Sequence, residues 1–208
     1  MRHIHPIQII LLIVFVAAFI YYKRKNAPSR FPGAAGAGAG PRPAVTRPAK
    51  VEEPPEAVYA RLRKRALDKV PANFVLGGNE DEPYGALMEM VISDSAVTLA
   101  CFADGDAGLY YQSGGGMVGG GAHETVRKAA KDFLTLAGKA VPRMIKTANH
   151  PLPAPGRVRF YVLTPKGILT TETDREALGE ESRNELSALF YSGQEVVAQM
   201  RQVQSQKS

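Results

Sequence analysis

The sequence predicts an α+β protein: a five-stranded antiparallel sheet with packed helices in the order α-βββ-α-ββ-α, preceded by one transmembrane helix and a flexible linker. Three observations carry that expectation. Several runs alternate apolar and polar residues with period two and are joined by short turn-forming stretches. Three longer runs repeat their apolar residues with helical spacing. Near the start, Ile7 to Tyr22 carries one polar side chain, Gln8, before the cations Lys23, Arg24 and Lys25.

The apolar run comes first. Sixteen residues at 1.5 Å each span roughly 24 Å of a ~30 Å hydrocarbon core. Tyr21, Tyr22 and the following cations extend the reach at the interface. The run ends in Phe-Ile-Tyr-Tyr rather than a small-x-small site, so a retained anchor over residues 1–25 is expected rather than a cleaved signal. The cations cluster after the run, which places the rest of the chain in the cytoplasm, as a single-pass protein of the cell membrane. Residues 26–55 are mainly Ala, Gly and Pro. They lack the apolar bulk to offset ordering entropy and read as a flexible tether.

The domain is expected over 56–203, with a tail at 204–208. Its first helix starts at Pro54-Pro55-Glu56, with Val58, Leu62, Ala66 and Val70 as the apolar stripe, and stops at Pro71. Arg61, Arg63, Lys64 and Arg65 fall elsewhere and read as a solvated face. Strands follow in "GALMEMVIS", "AVTLACFAD" and "AGLYYQS", joined by Ser93-Asp94-Ser95 and "DGDAG". Short turns imply antiparallel pairing. The second helix, about Ala122 to Lys139, carries Val126, Ala129, Ala130, Phe133, Leu134, Ala137 and Ala140 as a wide stripe. "RVRFYVLT" and "GILTTET" form a hairpin over Pro165-Lys166-Gly167. The last helix runs to about Gln202, with a break expected near Ser192, where Ser192 and Glu195 fit a capping box.

The formal charge of +6 does not imply nucleic acid. Seven basic residues and no acid lie between Lys23 and Lys50, whereas from Val51 onward 18 Lys and Arg face 20 Asp and Glu. A nucleic-acid-binding domain carries its positive charge on its own surface. The expected partners are the lipid bilayer through residues 7–22, a protein, and a small molecule as the alternative.

"SGGGMVGGGAHE" holds the candidate site: Gly114, Gly115, Gly116, Gly119, Gly120, Gly121 and His123. Backbone amides at a helix start bind anions, and glycine lets the backbone approach them. A phosphate loop needs a lysine after the glycines, and Ala122, His123 and Glu124 stand there instead. A strand-to-helix connection or partner-contact loop is the favoured reading, and a loop binding a small anion or nucleotide the alternative. His123-Glu124 opens like a zinc-protease helix, but Arg127 occupies the second ligand position, so no metal and no cofactor is expected. Cys101 alternates with Val97 and Leu99 and reads as core. No complete catalytic set emerges, which favours a non-enzymatic domain.

The element order over residues 56–202 resembles the roadblock, longin and profilin-like domains, which serve mainly as scaffolds and regulators. The segments "PLPAPGRVRFY" and "SGGG…GGGAHE" look like those of uncharacterised bacterial single-pass membrane-anchored proteins. Together these resemblances imply a membrane-tethered interaction or regulatory domain without an assigned activity.

Overall fold

The first helix, α1 (Pro55–Asp68), begins at a proline pair whose fixed φ suits a first turn. It is followed by β1 (Gly85–Ile92), β2 (Ser95–Phe102), β3 (Ala107–Tyr111) and the two-residue β4 (Gly116–Met117). Helix α2 (Glu124–Ala140), β5 (Ile145–Thr147), β6 (Arg157–Thr164), β7 (Gly167–Asp174) and α3 (Glu185–Ser205) complete the order. This computed structural model describes residues 53–70, 80–179 and 184–206. Residues 1–52, with the apolar run 7–22 and most of the linker, lie outside them. Among the described residues no helix is long and apolar enough to cross a membrane.

All strand pairs are antiparallel, in the order β4-β3-β2-β1-β6-β7-β5. The sheet therefore has seven strands, not the five expected, and the transmembrane helix included in that expectation is not found among the described residues. The additional strands, β4 and β5, flank the five-stranded core at its two edges. One is a Gly-Met pair and the other is Ile-Lys-Thr, both too short to show an alternating pattern. Their strand conformation comes from tertiary pairing: Gly116 and Met117 with Tyr110 and Leu109, and Ile145 to Thr147 with Thr170 to Ile168.

Turn chemistry sets the register. Ser93 and Asp94 both have positive φ, 47° and 63°, as a two-residue type I′ hairpin requires, and Ile92 pairs with Ser95. Thr164 pairs with Gly167 across Pro165-Lys166, closing the β6–β7 hairpin as expected.

Both faces of the sheet are covered. On one, the α2 stripe Val126, Ala129, Ala130, Phe133, Leu134, Ala137 and Ala140 is buried as its spacing predicts. It packs with α3 against Met88, Leu99, Cys101, Val158 and Phe160. Helix α3 is capped by Asn184, whose side chain accepts from the amides of Leu186 and Ser187 at 2.9 Å. The expected break at Ser192 does not occur. Gly193 lies against Met88 and Phe133, where a Cβ would come within 2.7 Å of the Met88 sulfur. That close packing holds the helix continuous through a residue of poor helical propensity.

The other face carries α1 over Leu87, Ala100, Phe102, Tyr110, Tyr161 and Leu163. Its seating differs from the expected stripe. Tyr59, Ala66 and Leu67 are buried, Val58 and Leu62 are half-buried, and Val70 lies exposed beyond the helix end. The sheet-facing row passes through Arg63, a residue a hydropathy pattern assigns to solvent.

Candidate functional site

The sheet face beneath α1 carries a polar row in register across four strands: Thr98 on β2, Glu89 on β1, Arg159 on β6 and Glu172 on β7. Glu89 is fully buried, so its charge requires partners. Arg63, one turn after Tyr59 on α1, supplies them as a fork, with Nε 2.7 Å from Oε1 and Nη2 2.8 Å from Oε2. The Thr98 hydroxyl donates to Oε1 at 3.0 Å, and Thr98 shares a 2.8 Å bond with the Tyr59 hydroxyl. Arg159 pairs with Glu172, and Arg157 bridges Glu172 and Asp174.

Electrostatics follow from this seating. Burial alone would lower the Arg63 guanidinium, but the bond to Glu89 and its charge outweigh burial and hold it above its ordinary value. Burial pushes the Tyr59 phenol up to about 12, partly offset by Thr98. Tyr161 is raised by burial and then by the Glu89 charge.

The segment after β5 folds back over the β6–β7 half of the same face. The Pro151 carbonyl accepts from the Tyr161 hydroxyl at 2.5 Å and from Arg63 at 3.5 Å, and the Ala154 amide donates to Glu172 at 3.3 Å. The His150 ring stands edge-on to Tyr161 at 5.6 Å, and its buried Nε2 has no hydrogen-bond partner among the described residues. A cleft of about 460 Å³ runs along α1, lined by Tyr59, Ala60, Arg63, Gln112, His150 and Leu152. Leu152 forms an exposed apolar rim. Lys69 holds the C-terminal end of α1, 3.0 Å from Asp106, 3.3 Å from Asp104 and over the Phe102 ring.

The glycine segment meets this network at its margins, where Gly114 faces Pro55 and Gly121 packs against Asp106. Gly115 accepts from the Tyr111 amide, Gly116 forms β4, and Gly119 leads into the 3-10 turn Gly120–Ala122. Gly116 has φ 146°, and a Cβ there would collide with the Leu109 carbonyl. A Cβ on Gly121 would lie 2.8 Å from the Gly105 carbonyl. Gly120 packs on Val126 and Ala107. His123 caps α2 in extended conformation, with no side-chain cap bond. The stretch is thus a strand, a turn and a helix start; Gly116, Gly120 and Gly121 lie close against neighbouring backbone, and Gly114, Gly115 and Gly119 supply positive φ.

Cys101 is fully buried, and burial raises its thiol far above the ordinary range, so it is no nucleophile in the folded state. Asp104 forms the β2–β3 turn, accepting from the Asp106 amide at 2.9 Å. Among the described residues no group of three or more His, Cys, Asp or Glu could hold a metal ion.

Sequence reasoning missed the Arg63–Glu89 pair. The available signal was an acid, Glu89, inside an otherwise apolar strand, which a sheet covered on both faces can only bury paired. No family model, curated protein or solved structure matches the chain. The α/β/α layering and the polar face beneath α1 therefore define its class by themselves.

Proposed function

We propose that this chain is a non-enzymatic interaction or regulatory module held at a membrane, with residues 7–22 in the bilayer and the domain on the cytoplasmic side. The face carrying α1 is its partner-contact surface. One observation carries this reading: the helix that receives the linker lies on a polar, ion-paired seat and leaves an open cleft with an apolar rim beside it. Partner surfaces combine exposed apolar contacts with a few oriented polar groups in this way. The linker is rich in Ala, Gly and Pro, a composition suited to a tether.

Affinity capture from detergent-solubilised membranes with the full chain is expected to recover a protein partner in defined stoichiometry. Repeated recovery of the chain alone would count against the module. A reporter fused after Ser208 is expected to show cytoplasmic behaviour, and activity of a periplasm-dependent reporter would reverse the orientation.

A further inference from the structure

We propose that the strip of sheet beneath α1 is a docking site for a partner helix that displaces α1 and repeats its chemistry. That chemistry is an aromatic hydroxyl followed four residues later by arginine. The proposal rests on the interaction-module reading and names the surface and the partner.

Among the described α-helices, α1 buries the fewest residues. Three of its fourteen residues are buried, against seven in α2 and seven in α3. Leu62 adds a half-buried apolar contact, and the rest of its hold on the sheet is polar: Tyr59 to Thr98, Arg63 to Glu89 and Lys69 to the β2–β3 turn. Elements with few buried apolar contacts open at a lower free energy than the core that carries them.

Charge complementarity selects the occupant. Glu89 is fully buried and takes a two-pronged bond from its partner. Any replacement must therefore bring a planar, bidentate cation, which arginine supplies and lysine does not. Thr98 sits beside Glu89 and bonds a hydroxyl from the preceding helical turn. Residues four apart share one helix face, so a Tyr-x-x-x-Arg pair meets both groups together. The strip around them is apolar, with Leu87, Ala100, Phe102 and Leu163. A helix with one apolar face fits it by the helix-in-groove mode.

The connectivity permits the exchange. Fifteen residues lie between Lys69 and Gly85, a chain length that reaches on the order of 50 Å. Helix α1 can therefore leave its seat while β1 stays in the sheet. Being covalently attached, α1 competes at an effective concentration in the millimolar range. The cleft along α1, rimmed by Leu152, gives an incoming helix a first contact.

The test uses the full chain in detergent and a fluorescent peptide of residues 53–70 as the incoming helix. The peptide is expected to bind the Arg63→Ala chain at least tenfold more tightly than the unaltered chain. A peptide carrying Arg63→Lys is expected to lose at least tenfold in affinity for the same chain. Equal binding to both chains, or equal binding of both peptides, would overturn the proposal.

Should Arg63→Ala fail to fold, hydrogen exchange of the unaltered chain decides. The α1 amides are expected to exchange at least a hundredfold faster than those of β1 and β6, and exchange in step with the sheet would overturn the release of α1. A concentration-dependent dimer that exchanges α1 between copies would assign the strip to a second copy and overturn the separate partner. These readouts need no partner, so an empty affinity capture, which defeats the module, is distinguishable from failure of this site.

Discussion

Replacing Arg63 by leucine removes the cation that satisfies Glu89 while keeping apolar bulk on α1. The Glu89 side chain is completely buried and that of Arg63 is 14% exposed, so solvent screens the pair little. After the substitution the carboxylate keeps the Thr98 hydroxyl at 3.0 Å and loses both guanidinium bonds. Breaking a buried ion pair from one side costs about 3–5 kcal/mol. For a domain of this size that corresponds to roughly 6–20 °C in Tm. The double substitution Arg63→Leu with Glu89→Leu removes both charges and should return to within about 1 kcal/mol of the unaltered chain, because replacing a buried pair with apolar bulk is near neutral. The double variant should therefore be more stable than Arg63→Leu alone by about 2–4 kcal/mol, read from urea denaturation followed by circular dichroism. Release of α1 before global unfolding would show in the single variant as a smaller urea dependence and early loss of helical signal. An Arg63→Leu loss below about 1 kcal/mol, with α1 still protected from exchange, would refute the reasoning.

Three further outcomes follow from the geometry. Among the glycines, Gly116→Ala should be the most damaging, at more than about 2 kcal/mol, since it adds positive-φ strain to a collision with the Leu109 carbonyl. Gly121→Ala should cost about 1–3 kcal/mol by overpacking, Gly119→Ala, open around its Cβ, about 1 kcal/mol of strain, and His123→Ala less than about 0.5 kcal/mol; a thermal-denaturation series in another order contradicts the packing role. Tyr59 titrates at about 12 when folded against 10 as its ordinary value, so the folded state keeps a proton that the unfolded chain loses. Its contribution, about 2–3 kcal/mol, is complete below pH 10 and is lost as pH rises through 12; Tyr59→Phe should flatten that part of the stability profile, and an unchanged alkaline slope would contradict the burial. Cys101 should react with a disulfide reagent at least a hundredfold more slowly in the folded chain than in urea, and rapid reaction would place it outside the core.

What could be read from the sequence was whatever a single element decides by itself. The α2 stripe from Val126 to Ala140, the "RVRFYVLT" strand and its Pro-Lys-Gly turn, and the core placement of Cys101 all follow from local periodicity, and the structure keeps each one. What failed depends on partners distant in sequence. β4 and β5 are strands because neighbours offer open edges, not because Gly-Met or Ile-Lys-Thr favour extension. Helix α3 runs through Ser192 because Met88 and Phe133 grip Gly193. The α1 stripe was misread because Arg63 faces inward, and it does so only because Glu89, 26 residues later, is buried beneath it. The polar row beneath α1 went unread for the same reason. Six glycines in a row of twelve residues are conspicuous, whereas an arginine in a cationic helix is not.

The central claim is that the α1 face, rather than the glycine segment, meets the partner. Affinity capture with two surface variants tests it most directly. Leu152→Asp places a charge on the cleft rim, and Val118→Asp places one at the tip of the glycine segment, where Val118 is 67% exposed. Neither position is buried, so both variants should fold with unchanged thermal stability. The expected result is at least a tenfold loss of recovered partner with Leu152→Asp and full recovery with Val118→Asp. Retention with Leu152→Asp and loss with Val118→Asp would contradict the account and move the contact surface to the glycine segment.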